Sequence, residues 1–77
     1  MQAVMQIDDK LQLLIDIKDL CDLTRLSQTS IYRKMNKKNK QFDETFPRPV
    51  DIGVSSNYWR YEDVKRWIAN RPMRSVA

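Results

Sequence analysis

Apolar residues begin to recur at regular spacing only from Leu13, where Leu13-Leu14-Ile15 makes a short apolar lead-in. Before it, Val4, Met5, Ile7 and Leu11 are loosely spaced without cap or turn chemistry, which predicts a flexible N-terminal arm over 1–12. Asp16 is suited to cap a helix, and Ile17, Leu20, Cys21 and Leu23 or Thr24 follow it at helical spacing. A short first helix over about 17–23 is the prediction. Arg25-Leu26 then leaves room only for a tight connection, and Ser27 can accept the Ser30 amide as an N-cap. A second helix is predicted from Gln28 to about Lys38. Two short helices around a tight turn form the helix-turn-helix arrangement, in which the second helix docks in the major groove of DNA.

The predicted second helix divides into two faces at about 100° per residue. Ile31 and Met35 share one side, with the stem of Lys38 beside them and Leu26 beneath. Thr29, Arg33, Asn36, Lys37 and Lys40 lie roughly opposite, with Tyr32 on one flank and Ser30 on the other. Arg and Lys pair with phosphate or guanine, Asn with adenine, and Ser or Thr with backbone or base edge, so this face carries the residue types of direct readout. A solvated polar face would use the same residues; the helix-turn-helix spacing favours readout. Tyr32 suits two roles, a base contact or a ring packed on the first helix with its hydroxyl offered to a phosphate.

Residues 39–47 read as a connector, with Phe42 and Phe46 as anchors and Asp43 and Glu44 on its outside. Pro47-Arg48-Pro49 disfavours helix, and Val50 and Ile52 then alternate with Asp51 before Gly53, which is a strand signal. Tyr58-Trp59-Arg60-Tyr61 is a second β-prone run, and Val54-Ser55-Ser56-Asn57 is polar enough to turn between them. The pair predicts a small β-hairpin, the wing of a winged helix-turn-helix. Its tip, Ser55, Ser56 and Asn57, with Arg60 on the flank, can reach phosphates or the minor groove, although a plain surface turn has the same composition. A last helix follows, with Glu62 and Asp63 in its first turn, a stripe of Val64, Trp67 and Ile68, and Arg66 and Arg71 towards its end before Pro72. Trp59, Trp67 and Cys21 read as core residues, and 73–77 as a loose tail.

Charge sharpens this picture. The 77 residues carry a net +4, but residues 1–24 are at −3, residues 25–40 at +6 with no acid, and the remainder at +1. A single-signed basic block between segments of other character marks an anion-binding surface. The reactive inventory is poor: histidine is absent, Cys21 is the only cysteine and Gly53 the only glycine. An imidazole base, a Cys/His metal set, an internal disulfide and a phosphate-cradling glycine loop are therefore excluded. Neither an enzyme nor a cofactor or metal site is expected. Asp19 and Asp22 read as the solvated face of the first helix rather than an acid/base pair. No apolar run reaches the roughly 20 residues of a membrane span, and the mixed polar start does not read as a signal peptide, so a cytoplasmic location is expected.

Ser27-Gln28-Thr29-Ser30-Ile31-Tyr32-Arg33, then Phe46-Pro47-Arg48-Pro49-Val50 with Ile52-Gly53, then Tyr58-Trp59-Arg60 and Val64-Lys65-Arg66-Trp67-Ile68 together resemble the AlpA family of prophage regulators over about Leu13 to Pro72. The resemblance implies a winged helix-turn-helix, mainly α with a small β-hairpin, similar to excisionase and MerR-type DNA-binding domains. It implies residence on a prophage or integrated island, where such proteins act as excisionase (recombination directionality factor) or as regulator of the integrase gene. Implied partners are double-stranded DNA at an attachment site or integrase promoter, further copies bound cooperatively alongside, and an integrase. With the motif positions added, the DNA-contacting set is Ser27, Gln28, Thr29, Ser30, Tyr32, Arg33, Asn36 and Lys37 on the helix and Ser55, Ser56, Asn57 and Arg60 on the wing. This chain departs from the family pattern in its longer connector over 36–45 and in Tyr61, where a small polar helix cap is usual. An alternative of another class is a protein-interaction module of antitoxin or anti-repressor type, without sequence-specific DNA binding.

Overall fold

The computed structural model describes residues 13–75. The arm expected over 1–12 and the last two residues of the expected tail lie outside the described residues. In chain order the elements are β1 (Leu14–Ile15), α1 (Ile17–Thr24), α2 (Gln28–Met35), β2 (Trp59–Arg60) and α3 (Tyr61–Ala69). This mainly α arrangement with a two-stranded antiparallel sheet is that of a winged helix-turn-helix domain.

Local chemistry sets the helix boundaries. Asp16 accepts the Asp19 amide at 2.9 Å while Asp19 accepts the Asp16 amide at 3.3 Å, a reciprocal box that satisfies two free amides at the start of α1. Arg25 ends that helix in the left-handed region, φ 64° and ψ 17°, with its amide donating to the Cys21 carbonyl at 2.8 Å. The conformation costs a non-glycine residue about 1 kcal/mol, and it turns the chain sharply enough for α2 to begin at Gln28. The Ser27 hydroxyl accepts the Ser30 amide at 3.1 Å, as the sequence predicts.

α2 stops at Met35, three residues before its predicted end at Lys38. Asn36 turns extended, φ −92° and ψ 112°, and its side-chain carbonyl accepts the Lys38 amide at 3.0 Å. Asparagine thereby offers the backbone an alternative to the helix, and beyond Met35 no apolar side chain repays a further turn. Lys38 is exposed in the loop, so its stem does not extend the apolar face.

The sheet also differs from the predicted hairpin. Between the 50–52 and 58–61 segments only Val50 and Tyr58 meet, in a single bridge with the Val50 amide donating to Tyr58 at 2.7 Å. Trp59–Arg60 instead takes its ladder from β1, Leu14 opposite Arg60 and Ile15 opposite Trp59. Burial decides the pairing. Residues 51–57 are all exposed, whereas Ile15 and Trp59 face each other in the core. Tyr61 opens α3 rather than closing a strand; Arg60 gives that helix no side-chain cap, and the Tyr61 amide donates to the Leu13 carbonyl at 3.1 Å. The residue just before β1 thus satisfies the first of that helix's free amides.

Ile15, Leu20, Ile31, Phe46, Trp59 and Val64 are buried together, and Ile17, Cys21, Leu26, Met35, Tyr61 and Trp67 pack around them. Each element contributes at least one of the buried six or holds its neighbour, and Phe46 meets Trp67 edge-on at 4.9 Å between centroids. Ile68, expected in the apolar stripe, sits at its solvent edge. Among the described residues no helix is long and apolar enough to cross a membrane.

Candidate nucleic-acid interface

Ile31 is the side chain that orients α2. With it fully buried and Met35 half-buried, the opposite side must face outwards: Thr29 and Arg33 are exposed there and Tyr32 on its flank, whereas Gln28, also exposed, lies about 60° from Ile31 and lines a hollow with Ile17, Lys18, Cys21 and Asp22 of α1. Ser27 is exposed as well, but its hydroxyl caps the helix and donates to Ser30 Oγ at 3.1 Å. Ser30 is half-buried, so both serines serve the helix start first. Asn36 and Lys37 stand outside the helix: Asn36 is its C-cap and Lys37 lies in the following turn, a correction to their predicted place on the helical outer face.

Tyr32 and the wing tip come together. A cleft of about 390 Å³ is lined by Tyr32, by Ser55, Ser56, Asn57 and Tyr58, and by Asp16 and Ile17 at the start of α1. The tip reaches this position through a turn in which Asp51 accepts the Gly53 amide at 3.0 Å and Gly53 takes φ 85°, a value that suits glycine. Ile52 and Val54 stand exposed on either side of that glycine. Arg60 is exposed on β2, opposite Leu14, and does not line the cleft.

Electrostatics divide the surface. Among the described residues the ion pairs are Lys65 with Glu62, Arg66 with Asp63 and Arg71 with Asp43. None takes a cation from the 25–40 block, so Arg25, Arg33, Lys34, Lys37, Lys38 and Lys40 keep their charge unneutralised by these residues. Asp16, Asp19 and Asp22 gather with Leu14, Leu23, Tyr58 and Tyr61 around an adjoining depression of about 480 Å³, which shares Asp16 and Tyr58 with the cleft. The Asp19 amide donating to Asp16 holds that carboxyl below its ordinary value, so it stays charged at neutral pH and repels phosphate. Because Asp16 also borders the wing-tip cleft, the surface without acid is the outer face of α2 and the loop that follows it, not the cleft.

Two features escaped sequence reasoning. Arg25 places an exposed cation in the turn between the helices, and no sequence signal marks an arginine for the left-handed region. Asp43, expected on the outside, is half-buried in a polar knot: Thr45 donates its hydroxyl to Asp43 at 2.6 Å and its amide at 2.8 Å. Trp67 Nε1 and Arg71 Nη2 donate in turn to the Thr45 oxygen at 3.2 and 3.3 Å. The Thr45 hydroxyl bond holds the Asp43 carboxyl below its usual range, with Arg71 nearby adding to the effect. The Asp-x-Thr spacing is itself a turn signal that could have found half of this knot.

No solved structure matches the chain. It is 31% identical over 48 residues to the DNA-binding transcriptional activator AlpA of Escherichia coli (strain K12), a match that covers 62% of this chain and 69% of that protein. Residues 14–72, which run from β1 through the wing to just past α3, match the family model described as prophage CP4-57 regulatory protein (AlpA). The chain belongs to the AlpA family of prophage regulatory proteins.

Proposed function

We propose that this protein is a non-catalytic, sequence-specific DNA-binding regulator of a prophage or integrated island, acting in the cytoplasm on nucleoid DNA. The observation that carries the reading is the exposed polar face of α2, itself without an acid and set beside the wing tip across a cleft that Asp16 borders, with its cations unpaired by the described carboxylates. In this reading Gln28, Thr29, Tyr32 and Arg33 approach base edges in the major groove while Ser27 and Ser30 hold the helix start against the backbone. Ser55, Ser56 and Asn57 contact the flanking backbone or minor groove, and Arg60, Asn36 and Lys37 add phosphate contacts from outside the helix. The similarity to a DNA-binding transcriptional activator supports the same direction.

The finer role is excisionase or regulator of the integrase gene. As an excisionase the protein would bind an attachment site in several neighbouring copies and contact the integrase; as a regulator it would occupy an integrase promoter. A single module of this size makes a small interface, and neighbouring copies would raise its occupancy without new base contacts. Selection of duplexes from a random pool by the purified protein tests the reading. Enrichment of short direct repeats supports the excisionase role, and a lone motif supports promoter regulation. On the enriched duplex Arg33→Ala should weaken binding about 5- to 150-fold and relax discrimination at the base it reads. No enrichment even at low salt would refute DNA recognition and leave the protein-interaction alternative.

A further inference from the structure

We propose that the loop after α2 is a preordered phosphate-binding arm, in which Lys37, Lys38 and Lys40 grip the DNA backbone beside the groove that α2 enters. The inference deepens the DNA reading and rests on it.

Residues 36–42 are built as two turns in tandem, each led by an asparagine. The Asn39 amide donates to the Asn36 carbonyl at 2.9 Å, and the Phe42 amide to the Asn39 carbonyl at 3.1 Å. Within each turn the leading side chain accepts the amide two residues on: Asn36 from Lys38 at 3.0 Å, Asn39 from Gln41 at 2.8 Å. Both ends are pinned to the last turn of α2, the Asn36 amide on the Arg33 carbonyl at 3.3 Å and the Asp43 amide on the Lys34 carbonyl at 2.9 Å. The loop is thus clamped to the helix it follows.

Five of the seven backbone amides of residues 36–42 donate within the protein, and its three lysines are exposed. No carboxylate among the described residues pairs with them. A loop that only joined α2 to Phe46 would need neither the tandem turns nor three like charges, which repel one another. A polyanion resolves that repulsion. When a helix enters the major groove by its N-terminal half, its far end leaves near the sugar-phosphate backbone, and cations clamped there meet phosphates. Because the turns are formed before binding, less ordering entropy is lost on contact.

Phosphate contacts release counterions, at a slope of about −0.9 in log K against log salt for each phosphate neutralised. The test compares the full chain with its Lys37→Ala/Lys38→Ala/Lys40→Ala variant on a mixed-sequence duplex and on the duplex recovered by selection. The expected result is a slope shallower by about 2 to 3 and an affinity loss of about 10- to 500-fold near 0.1 M salt, equal on both duplexes. The all-arginine replacement of the same three lysines should restore the slope, and melting curves should be unchanged because these side chains carry no internal bond. Unchanged slope and affinity, while Arg33→Ala still weakens the selected duplex, would overturn the arm and leave the DNA reading standing. A loss confined to the selected duplex would also overturn it, since that is base readout. Absence of salt-dependent binding by the unaltered chain would overturn the DNA reading and the arm together.

Discussion

Replacing Thr45 with valine tests whether one hydroxyl fastens the connector to α3. The oxygen sits at the centre of the knot: it donates to the Asp43 carboxylate at 2.6 Å and accepts from Trp67 Nε1 at 3.2 Å and Arg71 Nη2 at 3.3 Å. Valine keeps the branched shape and removes all three bonds. The bond to the carboxylate is short and charge-assisted, which puts it at the strong end of the range, whereas Trp67 and Arg71 are near enough to solvent to turn to water. The net cost is therefore about 1–2 kcal/mol rather than the sum of three full bonds. In a domain of this size each kcal/mol lowers the melting temperature by about 4–8 °C, so a fall of about 5–15 °C is expected in a thermal melt followed by circular dichroism. Hydrogen exchange at the Asp43 amide should quicken as well, because its bond to the Lys34 carbonyl depends on where Asp43 is held. Thr45→Ser keeps the oxygen and should recover most of the loss. A shift under about 2 °C, or serine no better than valine, would refute the hydroxyl as the fastener.

Two other perturbations probe the fold. Ile31→Ala empties the one fully buried position on α2 and should cost about 2–5 kcal/mol, a large share of a small domain's stability, visible as a lower urea midpoint; Ile31→Val should cost about 0.5–1.5 kcal/mol. Acid should act through Asp16 and Asp43, both held below the ordinary value of 3.8 by amide and hydroxyl donors. A carboxyl depressed in the folded state contributes stability that is present above its unfolded value and lost as pH falls through the folded one. Urea midpoints should thus hold steady down to about pH 5 and decline below it, and Asp43→Asn should flatten the decline.

The parts of the fold legible in the sequence are those determined within a few residues. Asp16 and Ser27 are caps because carboxylate and hydroxyl reach an amide three residues on, and Ile31 turns α2 because it shares one face with Met35 four residues on while the opposite face is polar. What the sequence did not disclose depends on partners far along the chain. Trp59–Arg60 had two candidates for its ladder, and Val50-Asp51-Ile52 looks as β-prone as Leu14-Ile15; only burial of Ile15 against Trp59 separates them. The knot of Asp43, Thr45, Trp67 and Arg71 ties residues as far apart in sequence as Asp43 and Arg71, and no local pattern points across that distance. At the site the exposed half of α2 was legible from its period. The loop was not, since Asn36 and the lysines fit a helix and a turn equally and asparagine's side chain chose the turn.

The charge pattern is the step that joins fold to function. α1 with its N-cap carries Asp16, Asp19 and Asp22 against the single cation Lys18, and α2 with its loop carries Arg33, Lys34, Lys37, Lys38 and Lys40 with no acid, on helices joined by a tight turn. Cross-helix ion pairs would have relieved repulsion on both sides, yet the pairs formed by these elements' neighbours lie within α3 or between Arg71 and Asp43. Exposed pairs are worth little to stability, about 0–1 kcal/mol each, so their absence costs the fold almost nothing. For binding the segregation matters far more, because every cation left free of an internal carboxylate can release a counterion from a phosphate. The separation of acids on α1 from cations on α2 and its loop is thus nearly neutral for folding and strongly favourable for holding a polyanion on one side, which is the side that also bears Thr29, Tyr32 and Arg33.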